Sequence, residues 1–194
     1  MISIILVLGA FRGDKRILPL IKICIIYALI TTSFYNVQHN VHLILWLCNI
    51  TAVLGLILSF RFSQKLYEVF FYFAWTGDLF TLLVWPNPVC PSLEIFPYSW
   101  VGFYLKHTAP LALTILLINQ GNVLSKNAVW TALKFMACYS IFIAFYNLLF
   151  EQNILDFRYA TLDFERLFGE WPLYVIVNLI IVAIWYYTVL SKIN

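Results

Sequence analysis

Six stretches of about twenty mostly apolar residues follow one another along this chain, and that series limits its fold more than any motif does. A membrane-crossing helix needs ~20 predominantly apolar residues. Segments 17–36, 41–60, 66–85, 99–119, 128–150 and 173–190 each meet that length. Composition agrees, with 63% of the 194 residues hydrophobic and 11% charged, where a soluble domain carries roughly a quarter charged residues. The expectation is therefore an all-α, polytopic transmembrane helix bundle of six full spans plus a short N-terminal apolar helix. That helix, "MISIILVLGAF", has eleven residues before the charged "RGDKR", too few to cross. It reads as the second half of a helix whose beginning is missing, or as an interfacial stub. No repeat, low-complexity tract or long polar linker interrupts the series, so 1–194 reads as a single integral membrane domain.

Charge and cysteine usage exclude several classes. The net charge is +3 with Lys and Arg scattered, so no basic stripe tracks a nucleic-acid backbone. The cysteines at 24, 48, 90 and 138 show neither paired nor Cys/His ligand spacing, and neither a metal site nor a disulfide framework is indicated. No cofactor is called for. With six spans, "RGDKR", "RFSQK", Lys126 and Lys192 share one side, which makes that side, and the C-terminus, cytoplasmic. The opposite face collects "NVQHN", "PNPVCPSLEIFPY" and the late loop "EQNILDFRYATLDFERLFGEWP", all richer in acids and aromatics.

Within this frame two residues bear chemistry. Cys48 lies about seven residues into a helix starting near 41, and His107 about eight into one starting near 99, so at ~1.5 Å per residue both sit ~10–12 Å deep. Cys48, Thr51, Ala52, Gly55 and Ser59 fall on one helical stripe of small residues, the kind that faces a neighbouring helix. Taken alone, a Cys in a membrane helix is usually a packing residue. His107 and adjacent Lys106 are harder to dismiss, because ionisable groups at mid-span cost ~2.5–3.5 kcal/mol even on a lenient scale. Lys106 has structural readings, snorkelling or pairing with Asp78, beside a functional one. Glu68, near a span end, reads as solvated at the interface.

A thiol in apolar surroundings stays protonated until a base takes its proton, and a neutral imidazole is such a base. Attack on a lipid ester would give an acyl-cysteine, released to water by a hydrolase or to a lysolipid hydroxyl by a transferase. Asn49 and Asn147 are the candidate oxyanion or polar supports. Lys106, Arg158 and Arg166 are candidates for a lipid headgroup. The late loop reads either as a lid over the site or as an interfacial connection in which "EWP" begins the last helix.

These stretches carry a resemblance. "LCNI", "WPNP", "EIFPYSWVGFYLKHTAPLALTILL", "FYNLLFEQNILDFRYAT" and "FGEWPLYV" are similar, in order and spacing over residues 40–190, to the YwaF family of bacterial membrane proteins and its animal relative, transmembrane protein 164. The resemblance implies a bacterial cell membrane and a cysteine-dependent acyltransferase acting on phospholipid and lysophospholipid. The family's Cys and His match Cys48 and His107. More distant relatives, the androgen-induced hydrolases of fatty-acid esters, use Thr and His. The chain departs from the bacterial "LPLHLC" at Ile44 and Trp46, and "GPWPWY" becomes "GEWPLY". Two non-catalytic classes stay open: a small-molecule or ion carrier, which would bury the same Lys106, His107 and Asp78, and an assembly subunit. Oligomeric state is left open.

Overall fold

The computed structural model describes residues 2–83, 90–160 and 167–188, and throughout them the chain is helical or irregular. The helices are α1 (Ile2–Phe11), α2 (Leu18–His39), α3 (Leu47–Phe60), α4 (Gln64–Phe73), α5 (Leu79–Leu83), α6 (Pro97–Asn119), α7 (Ala128–Phe150) and α8 (Leu173–Thr188). The chain divides into two compact units, residues 1–125 and 126–194.

Six full spans are not what these helices provide. Among the described residues three are long and apolar enough to cross a membrane: Lys15–His39, Pro97–Asn119 and Ala128–Phe150. The expected span 41–60 is cut in two. A 3₁₀ turn, Val41–Leu45, is followed by Trp46 in extended backbone (φ −64°, ψ 143°), and only then does α3 begin, with 14 residues. Asn40 starts the break by accepting from the His42 N–H (3.0 Å), and Asn49 holds it by donating to the Leu43 carbonyl (2.8 Å). Such side chains offer the backbone partners that a continuous helix would otherwise supply. The expected span 66–85 is likewise interrupted, α4 passing into α5 through a π-helical stretch, Ala74–Asp78. Its last positions, with Trp85, lie outside the described residues, as do 189–190 of the expected last span and Lys192. With three such helices, the alternation of sides that put the C-terminus in the cytoplasm no longer follows. The short N-terminal helix is present as α1, with Leu6 and Ala10 buried.

In the first unit α6 is the inner helix, packed against α1, α2, α3 and the π stretch. Small and polar residues let it approach so closely. A methyl at Gly102 would collide with the Thr31 hydroxyl oxygen of α2, and the Ser99 hydroxyl donates to the Thr31 carbonyl (3.1 Å). This is how membrane helices associate when lipid removes the hydrophobic incentive. On α2 the far face is apolar and outward, at Ile23, Ile26, Ile30, Phe34 and Val37, while Cys24, Ala28, Thr32 and Asn36 turn inward. The expected small face of α3 is buried at Thr51, Ala52, Gly55 and Ser59, and the buried face is wider than that stripe, taking in Leu47, Leu54 and Leu58.

Glu68 is not solvated at an interface. It is buried, and its carboxylate accepts from the Gln64 amide (3.1 Å) and the Ser125 backbone N–H (3.2 Å). Burial is tolerable because those donors replace water.

The second unit consists of α7, α8 and the loop between them. Exposed Phe142, Phe145, Leu148 and Leu149 give α7 an apolar exterior, suited to hydrocarbon. Asn147 clamps the loop: its Nδ2 donates to the Ile154 carbonyl and its Oδ1 accepts from the Ile154 N–H, each at 2.9 Å.

Candidate active site

The break at Trp46 changes where Cys48 stands. It is the second residue of α3 rather than the seventh of a longer helix. The Asn49 N–H already bonds the Trp46 carbonyl (2.9 Å), which makes Trp46 the residue before the first turn. A thiol in that turn is near backbone N–H groups that have no intrahelical acceptor and near the positive end of the helix dipole. Both favour an anion at sulfur or beside it. Cys48 is half-buried and not in a disulfide.

His107 is the eleventh residue of α6 rather than the eighth of a helix starting near 99, and it is fully buried. What fixes its ring is Asp78, at the end of the π stretch: Nδ1 and the carboxylate Oδ1 are 2.8 Å apart, with both side chains essentially inaccessible. With Asp78 ionised, Nδ1–H donates and Nε2 carries the lone pair. Phe103, one turn earlier on α6, packs edge-on against the ring at 4.8 Å between centroids. Among the described residues Nε2 has no hydrogen-bond partner, and neither does the second carboxylate oxygen of Asp78.

Lys106 does not pair with Asp78. Its ammonium donates to the Asn49 side-chain oxygen (3.1 Å) and lies 5.7 Å from the centre of the Phe103 ring. It also sits beside the Cys48 sulfur, with the Asp78 carboxylate in electrostatic range of the same thiol. Asn49, expected as an oxyanion donor, thus bonds the Leu43 carbonyl through Nδ2 and Lys106 through Oδ1. Two further ties bring the π stretch to this place: Gly77 lies against the Leu47 side chain, and the Trp75 indole N–H donates to the Thr114 hydroxyl of α6 (3.0 Å). π-helical insertions recur at functional sites because they re-aim a side chain without ending the helix.

The first unit therefore gathers Asn49, Asp78 and Lys106 around Cys48, with His107 held on Asp78. In the sequence Asp78 stood as a possible partner for Lys106 and as one of the ionisable groups a carrier would bury. The available signal was an acid in the apolar run "FAWTGDLFTLL", since such a residue needs a partner; the identity of that partner needed the fold. Asn147 and Arg158 belong to the second unit. Asn147 is occupied with Ile154, and Arg158 is exposed, its backbone N–H bonded to Asn153 Oδ1 (2.8 Å). Arg166 lies outside the described residues. Among the described residues no three or more His, Cys, Asp or Glu side chains gather as a metal-binding group.

No curated protein and no solved structure matches the chain. The TMEM164 family profile matches residues 1–189, and the chain, a polytopic α-helical membrane protein, belongs to that family.

Proposed function

We propose that this membrane protein is a cysteine/histidine-dependent lipid acyltransferase or acyl-ester hydrolase, with Cys48 as nucleophile and His107 as acid and base. The observation carrying this reading is the His107 ring, oriented at Nδ1 by Asp78 and, among the described residues, unpartnered at a fully buried Nε2. Leaving such an atom unsatisfied costs ~1–3 kcal/mol, a cost that makes sense where a reacting proton must land. The position of Cys48 in a helix's first turn and the likeness to YwaF proteins over 40–190 also support it.

In this reading Nε2 takes the thiol proton as sulfur attacks the acyl carbonyl. The developing oxyanion faces backbone N–H groups at the start of α3, with the Lys106 ammonium nearby. Collapse expels the alkoxide of the donor lipid, which leaves with the proton held on Nε2, and an acyl thioester on Cys48 remains. An incoming hydroxyl then loses its proton to Nε2, adds to the thioester and expels the thiolate. Water makes the cycle a hydrolysis; a lysophospholipid hydroxyl makes it a transfer. Asp78 holds the ring and the tautomer, and Asn49 holds Lys106. The membrane is a bacterial one on the YwaF likeness.

The test is mass measurement of the Cys48 peptide after the purified protein is incubated with mixed phospholipids. An acyl mass on that peptide, absent in Cys48→Ser and accumulating or failing to form in His107→Ala, is the expected result. No adduct and no turnover over a broad lipid panel would overturn the reading and leave a carrier or assembly subunit.

A further inference from the structure

The second unit carries a groove that the proposed chemistry does not use. It has a volume of about 490 Å³, within the ~300–1,000 Å³ range of small-molecule sites. Ile141, Ala144 and Leu148 on α7 form one wall, and Pro172 and Val175 face it from the α8 side. Besides Asn147, whose amide is taken up by Ile154, two polar features interrupt this apolar lining. Arg158 stands on the connecting loop, and Ser140 has a buried hydroxyl oxygen with no hydrogen-bond partner among the described residues.

The loop bearing Arg158 is fixed by its own side chains. Asn153 Oδ1 accepts from the Arg158 and Tyr159 N–H groups (2.8 and 3.1 Å). The Tyr174 hydroxyl donates to the Asp156 carbonyl (2.7 Å), and the Trp171 indole donates to the Phe157 carbonyl (2.7 Å). Leu155 and Asp156 are held at positive φ, 59° and 55°, a backbone state that persists in such residues only where surrounding bonds impose it. The consequence is a cation kept at one edge of an apolar slot. The stretches "FYNLLFEQNILDFRYAT" and "GEWPLYV" supply these residues, so this part of the family-like sequence builds the groove.

We infer that this groove binds an anionic membrane phospholipid, one acyl chain lying along α7 and the headgroup phosphate on the Arg158 guanidinium. Charge complementarity selects the occupant: guanidinium and phosphate form paired, charge-assisted hydrogen bonds, while the slot offers methylenes and methyls to a chain. In hydrocarbon surroundings an apolar slot alone gains little from a chain, because bulk lipid tails are equally apolar. Selectivity must come from Arg158.

The test uses the full chain in phosphatidylcholine vesicles with a phosphatidylglycerol whose acyl chain carries a terminal diazirine, and a diacylglycerol with the same chain as neutral control. Illumination should label the peptide covering Ser140 to Leu148, about tenfold more with the anionic probe. Arg158→Gln, at an exposed position, should bring the two probes level. Ala144→Trp should abolish labelling by both. Cys48→Ser should label like the native protein, so that failure here and failure of the acyl-transfer reading are told apart. Equal labelling by the two probes in native protein, or an Arg158→Gln variant that keeps the difference, would show only the ordinary lipid annulus and overturn the inference.

Discussion

The two units use buried polar side chains in opposite ways. In the first, Lys106 bonds Asn49 and His107 bonds Asp78, partners 57 and 29 residues apart, and polar atoms of His107 and Asp78 are left over. In the second, Asn147 and Asn153 bond backbone groups five to seven residues away, and Asn153 also donates to the Asp156 carboxylate three residues on. Networks of the first kind exist only if several helices arrive together, and a gap in them is costly in a low-dielectric interior. Those of the second kind are local turn chemistry, which shapes a loop wherever its helices go. The difference teaches where to seek reactivity: in the network with unspent capacity, not in the one that closes on itself.

His107→Ala should give the largest effect, a ~10²–10⁴-fold loss of acyl turnover of the size general acid–base catalysis contributes, measured as product release from mixed lipids. An equal loss from Asn147→Ala would erase the contrast between the units. Next, Asn49→Ala should lower stability by about 3 kcal/mol, read as a falling Tm in detergent, because it strands a buried ammonium and the Leu43 carbonyl together. Asn147→Ala should cost less, about 2 kcal/mol by the same measurement, since it frees only neutral backbone groups. A reversed order for these two would break the comparison.

The smallest effect belongs to Asp14, whose half-buried carboxylate accepts from the exposed Arg16 (3.0 Å). Those hydrogen bonds hold its carboxyl below the usual carboxylate range. Whatever stability follows is present above that range and lost as pH falls through the lowered value. On an open surface solvent screens it, so Asp14→Asn should leave Tm unchanged at neutral pH, in low salt as in high.

Much of this was legible in the sequence. Apolar composition announces an all-α membrane protein, since a backbone in hydrocarbon must satisfy its own hydrogen bonds. The stripe through Thr51, Ala52, Gly55 and Ser59 announces the buried face of α3, and Lys106 and His107 announce polar groups that need an interior. Each is a local property, carried by residue type and helical period. The number of helices long enough to cross was not legible, because the break at Trp46 is held by Asn40 and Asn49, and no proline or glycine marks it. Nor were the partners. Which carboxylate meets His107, which amide meets Lys106, and whether Glu68 sees water depend on where the π stretch and the 123–125 loop come to rest. Pairwise contacts between distant segments are set by packing in three dimensions, and a one-dimensional pattern contains the need for a partner but not its address.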